Sequence, residues 1–182
     1  MDPLLDAKRI REYLIEVADE LALEGPPHDI VIVGGSLLAL HGLRESTLDV
    51  DTITRLNAEV DRAARTVATR HGLTPTWLND QAAAFTPWTW TVDDTELLLE
   101  RGRLRVLGAS FIDMVLMKID AARVRSNDRD DLVKLWPHVT ASPNQVLDLY
   151  RQAYPHSPHD EYLLHWLQEI EEESNGSDSP LP

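Results

Sequence analysis

The chain has no cysteine, which removes disulfides, zinc thiolates and thiol catalysis from its chemistry. It also lacks long apolar runs: no window reaches roughly 18 uninterrupted apolar residues, so no membrane partner is expected. The N-terminus carries no basic-then-apolar leader pattern, and the expectation is a soluble, cytoplasmic protein. Positive charge is scarce, with 17 Lys and Arg against 31 Asp and Glu and a net charge of −14. Non-specific nucleic-acid binding by the whole surface is thereby excluded, because neutralising phosphates needs a basic footprint. The acidic stretch 169–178 accounts for only part of this; without its five acids the charge is still −9 (−14 + 5). A polyanionic substrate would have to meet a local basic patch.

What is present reads as an α/β (α+β) half followed by a helical half, with no internal repeat. Ile10, Leu14, Val17 and Leu21 recur at helical spacing, predicting an amphipathic helix from Pro3 to about Glu24, stopped by Gly25-Pro26-Pro27. Ile30–Val33 is a short apolar run with the mark of a buried strand. A Gly34-Gly35-Ser36 turn, a short helix to His41 and a strand over Leu48–Ile53 follow. Asn57 is placed to cap a helix to about His71. Residues 72–94 mix prolines with Trp77, Trp88 and Trp90, and Glu96–Leu99 and Leu104–Leu107 read as a hairpin around Arg101-Gly102-Arg103. Beyond Ser110 the pattern is helical. Ser110 with Asp113, Asn127 with Asp130, Ser142-Pro143 and Ser157-Pro158 all look like helix starts. Residues 174–182 have the composition of a disordered acidic tail.

Chemistry concentrates in 30–54, which reads IVIVGGSLLALHGLRESTLDVDTIT. A strand that ends in Gly-Gly and opens a helix at Ser36 can aim backbone amides and a hydroxyl at an anion, although the same glycines also serve plain packing. Asp49 and Asp51 are two apart, so on a strand their side chains leave from one face, with Leu48 and Val50 turned to the core. Paired carboxylates repel unless a cation lies between them, and oxygen-only ligands suit Mg²⁺ or Mn²⁺. The alternative is a solvated strand face.

The pattern Gly34-Gly35-Ser36, then Arg44, Thr47, Asp49 and Asp51, resembles the nucleotidyltransferases of the DNA polymerase β superfamily, in particular the AbiEii and MenT-like toxin group. Arg44-Glu45-Ser46-Thr47-Leu48-Asp49-Val50-Asp51 fits that group's R-x-x-T/S-x-D-x-D element. Lys118 on an apolar helix, followed by Arg123 and Arg125 and then Asp128-Arg129-Asp130-Asp131-Leu132, fits its downstream signature. The stretch 72–80, GLTPTWLND, looks similar to the same group. The resemblance implies a mixed sheet flanked by helices in a nucleotidyltransferase domain over 1–108, and a helical lobe over 109–173. It implies transfer of a nucleoside monophosphate from an NTP to an acceptor hydroxyl. Asp49 and Asp51 would hold the metal, and Gly34, Gly35, Ser36 and Arg44 would bind the nucleotide. Lys118 would offset phosphate charge, with Asp131, or Asp128, orienting it. A third carboxylate, common in the wider superfamily, has only Glu96 and Glu100 as candidates.

The acceptor implied is the 3′ end of tRNA, with the protein acting as a toxin beside a cognate antitoxin. A protein hydroxyl receiving AMP, or an inactive nucleotide-binding module, are the other readings. Arg101, Arg103, Arg105, Lys118, Arg123, Arg125, Arg129 and Lys134 place 8 of the 17 Lys and Arg between 101 and 134, which could form the patch an RNA needs. Their bland reading is ordinary pairing with Asp120, Asp128 and Asp130.

Overall fold

The computed structural model describes residues 3–121, 127–157 and 161–177. Two compact units result: Met1–Ala84 with Asp93–Ala109, and Phe85–Val92 with Ser110–Pro182.

The first unit is built on strand β1 (His28–Val33), in which Ile30, Val31, Ile32 and Val33 are all buried. Four consecutive buried apolar residues suit a strand covered on both faces. β1 is the middle strand of a five-stranded mixed sheet of order β3-β2-β1-β5-β4, where β2 is Val50–Thr52, β3 Leu78–Asn79, β4 Glu96–Arg101 and β5 Leu104–Gly108. β1 runs antiparallel to β2 and parallel to β5, and β2 runs parallel to β3. The hairpin read around Gly102 joins β4 to β5, and Gly102 has a φ of 53°.

Helix α1 (Ala7–Glu20) is shorter than its periodicity predicted. Asp6 accepts the amide of Arg9 at 2.8 Å and starts the helix there, leaving residues 3–5 outside it. Helix α2 (Gly34–Leu40) follows β1 directly. Helix α3 (Ala58–His71) is capped as expected by Asn57, whose Oδ1 accepts the amides of Glu59 and Val60, and it ends at left-handed Gly72. Trp77 is fully buried, donating Nε1–H to the Ala64 carbonyl at 2.9 Å.

β2 corrects the sequence reading. The strand covers Val50–Thr52 instead of Leu48–Ile53, and Leu48 is 59% exposed where a core position was expected. Thr47 bridges out of the sheet to Leu5 instead, so alternation holds only from Val50 onward.

The second unit holds α4 (Phe111–Ala121), α5 (Asn127–Leu135), a short 3₁₀ turn at Trp136–His138, α6 (Pro143–Ala153) and α7 (Leu163–Ser177). The Ser110 hydroxyl donates to Asp113 Oδ2 at 2.6 Å and accepts the Asp113 amide, starting α4. Ser142 and Gln145 form a reciprocal capping box ahead of Pro143. Leu163, Leu167, Ile170 and Ser174 bury one face of α7, so 174–177 continue a helix where the composition predicted a disordered tail. Pro158 to Asp160, part of another expected helix start, and 178–182 lie outside the described residues. The segment Phe85–Val92 is tied to α6: the Trp88 amide donates to the Ala153 carbonyl, and Tyr154 Oη–H donates to the Phe85 carbonyl at 2.7 Å. Among the described residues no helix is long and apolar enough to cross a membrane.

Candidate active site

At the end of β1 the chain enters α2 through Gly34, at φ 68°, and Gly35. Both glycines are explained by what lies over them. A methyl group built on Gly34 would sit 3.2 Å from Asp51 Oδ2; one on Gly35 would sit 2.9 Å from Arg44 Nη1 and 2.9 Å from Thr47 Oγ1. The turn and the R-x-x-T-x-D-x-D element, read separately in the sequence, are therefore packed against each other. Close approach of Asp51, Arg44 and Thr47 is what requires the missing side chains.

Ser36 departs from its expected role. It is buried, and its hydroxyl donates to the Val33 carbonyl at 2.9 Å, closing the strand-to-helix corner. Its hydroxyl proton is thus engaged within the chain.

Asp49 precedes β2 and Asp51 lies within it, register-paired with Val33 of β1. Burial pushes the Asp49 carboxyl above the usual aspartate range, although the Arg44 guanidinium, its own backbone N–H and the Thr47 hydroxyl pull the other way. A carboxylate desolvated more than its neighbours compensate gains from a cation. Asp49 and Asp51 are the residues that could hold one, although Asp49 lies outside β2 and strand alternation does not put it on the face of Asp51; among the described residues no cluster of three His, Cys, Asp or Glu could do so. A two-carboxylate site fits Mg²⁺, which keeps several waters or takes phosphate oxygens in its remaining positions.

Two participants were missed in the sequence. Leu5, fully buried, exchanges backbone hydrogen bonds with Thr47 at 2.8 and 2.9 Å, clamping the segment that leads to Asp49. Asn79 of β3 stands in register beside Asp51. Leu5 carries no local motif, and Asn79, within the stretch 72–80 that looks similar to the nucleotidyltransferase group, had no role read for it; the pairing of distant segments brings both here.

Glu96 and Glu100 do not supply a third carboxylate beside Asp51. They lie on β4, which β5 and β1 separate from β2, a distance of three strand spacings or about 14 Å. Glu96 instead approaches His41 Nε2 at 3.5 Å.

In the second unit, Lys118 of α4 donates Nζ–H to Asp131 Oδ2 of α5 at 2.6 Å. Asp131 is buried and the Lys118 side chain is only 15% exposed. Asp131 is one of the two aspartates read as its partner. The side chain of Asp128, and Arg123 and Arg125 entirely, lie outside the described residues.

Five of the eight residues of the expected basic patch are paired with carboxylates. Arg101 pairs with Asp19, Arg103 with Glu59, Arg105 with Asp29, Lys118 with Asp131 and Arg129 with Glu169 and Glu173. Pairing was one of the two readings, but these partners are not the nearby aspartates anticipated. Asp120 accepts hydroxyl donors instead, from Tyr150 at 3.0 Å and Ser157 at 2.8 Å.

Residues 12–140 match the family described as nucleotidyltransferase of unknown function (DUF6036). No curated protein and no solved structure matches the chain. The matched span covers more than half of the 182 residues and includes Gly34, Gly35, Asp49, Asp51, Lys118 and Asp131. The chain belongs to this nucleotidyltransferase family.

Proposed function

We propose that the protein is a metal-dependent nucleotidyltransferase of the AbiEii and MenT-like type, moving an NMP from an NTP to an acceptor hydroxyl. The observation that carries this reading is the packing of Gly34 and Gly35 directly beneath Asp51, Arg44 and Thr47, next to the desolvated Asp49. In the transfer, the acceptor oxygen bonds to the α-phosphorus and the bond from that phosphorus to the α–β bridging oxygen breaks. Pyrophosphate leaves, and the hydroxyl proton passes to solvent. Bound Mg²⁺ or Mn²⁺ supplies neutralisation of the triphosphate and of the leaving pyrophosphate. Asp49 and Asp51 hold that cation, and the Gly34-Gly35 backbone and Arg44 bind phosphate oxygens. Lys118, oriented by Asp131, offsets phosphate charge.

The acceptor suggested by the motif is the 3′ end of tRNA, with the chain acting as a toxin held in check by an antitoxin. The compensated arginines favour a second acceptor, a protein hydroxyl, because Arg101, Arg103, Arg105 and Arg129 each already face a carboxylate. Incubating the full chain and Mg²⁺ with each α-labelled NTP, plus total RNA in one arm and total protein in the other, tests the reading. Label in the RNA fraction supports tRNA, and label in the protein fraction supports the second acceptor. Label in neither, with all four nucleotides, overturns the transferase reading.

A further inference from the structure

β3 runs parallel to β2 with Val50 opposite Leu78 and Asp51 opposite Asn79. Register partners project to the same face of a sheet, with Cβ atoms about 5 Å apart. Asn79 thus stands next to the carboxylate that closes over Gly34. Its side chain is held: Oδ1 accepts the Gln81 amide at 3.0 Å, which fixes which end of the amide is the oxygen and commits Nδ2 to the other direction. The residue is only 8% exposed, yet no described residue accepts a hydrogen bond from Nδ2. Among the described residues Trp90 Nε1 is the one side-chain donor both buried and unpartnered, so Nδ2 itself is open to solvent and within reach of a ligand. Because it is neutral, it provides that donor beside Asp51 without adding another negative charge, which suits an anionic oxygen.

We propose that Asn79 is a substrate-contacting residue that donates Nδ2–H to the triphosphate of the nucleotide bound beside Asp51. This rests on the nucleotidyltransferase reading and extends it to a residue outside the carboxylate, glycine and lysine motifs.

The test uses Asn79→Asp in the full chain. The substitution keeps an acceptor for the Gln81 amide, and so the turn, while removing the donor. Binding is measured by calorimetry in Mg²⁺ for whichever of the four NTPs the wild type binds most tightly, and for inorganic tripolyphosphate. A charge this buried is screened only weakly by salt, so Asn79→Ala, which removes the donor without adding charge, is titrated beside it. The expected result is an affinity loss of about tenfold or more for both ligands in both variants, with Asn79→Asp, which keeps the Gln81 contact, melting close to wild type. Affinity of Asn79→Ala within about twofold of wild type, which would assign any loss in Asn79→Asp to repulsion, or a loss confined to the nucleotide with tripolyphosphate unaffected, would each overturn the proposal. Wild type and Asp49→Ala are titrated alongside. If the wild type binds no nucleotide in Mg²⁺, or Asp49→Ala binds as tightly, the transferase reading itself fails. If those two behave as expected and Asn79→Asp matches wild type, only the role of Asn79 fails.

Discussion

Replacing Gly34 by Ala perturbs the corner in two separable ways. The residue sits at φ 68°, where an L side chain costs roughly 1–2 kcal/mol. The added methyl would also lie 3.2 Å from Asp51 Oδ2, closer than comfortable contact, so the carboxylate must yield by a few tenths of an ångström. For a chain of this size each kcal/mol lowers Tm by roughly 2–4 °C, giving an expected fall of about 2–8 °C. A 1 Å misplacement at a reacting centre can cost about 100-fold in rate, so the smaller shift at Asp51 sets an expectation of several-fold to about tenfold. Gly34→Asn separates the two effects. Asn tolerates the left-handed region, so much of the Tm loss should be recovered, but its Cβ occupies the same place and the rate loss should remain. Thermal melts and single-turnover NTP transfer on both variants decide the matter. Gly34→Ala melting at the wild-type temperature would refute the backbone argument, and Gly34→Asn with full activity would refute the contact with Asp51.

Three further perturbations test the supporting structure. Asp49→Asn should raise the Tm of the metal-free protein at pH 7: burial lifts the folded carboxyl's pKa, so ionising Asp49 above that pKa costs stability that the amide avoids, and the gain should disappear below about pH 3. Glu59 behaves in the opposite sense. Hydrogen bonds from Arg103, the Ala22 amide and His28 hold its carboxyl down at about 2, so it stabilises the fold above its ordinary pKa and that contribution is lost as pH falls through about 2. Glu59→Gln should therefore lower Tm at pH 7, with the difference from wild type narrowing as the melts are taken toward pH 2. Leu5→Ala should cost about 2–5 kcal/mol as a fully buried leucine, and should reduce turnover at temperatures where it remains folded, because Leu5 clamps the backbone of Thr47. Turnover equal to wild type in folded Leu5→Ala would remove the clamp from the account.

Local chemistry was legible in the sequence and long-range pairing was not. The caps at Asn57, Ser110 and Ser142 announce themselves because capping is decided within four residues. The apolar run of β1, the glycine turn and the two aspartates were equally local. Lys118 and Asp131, 13 apart on consecutive helices, were still within reach of a motif. Arg101 and Asp19 are 82 apart, Arg105 and Asp29 76 apart, and Arg129 and Glu173 44 apart. A cluster of basic residues announces its sign but not its partners, and here five of the eight face carboxylates. Asn79 and Leu5 were missed for a related reason: strand register and a two-residue bridge depend on which segments the fold brings together. Leu48 shows the limit of period-two reasoning, which holds only where the chain is paired on a sheet, and pairing on β2 begins at Val50.

The central claim is that Asp49 and Asp51 make a cation site for nucleotidyl transfer. It is tested most directly by following pyrophosphate release and label incorporation together while Mg²⁺ is titrated, in wild type, Asp49→Ala and Lys118→Ala. The account predicts one pyrophosphate released per nucleotide incorporated, a dependence on Mg²⁺ that EDTA abolishes, and loss of both signals in each variant with the fold intact. Incorporation that persists in EDTA, or in folded Asp49→Ala, would contradict it.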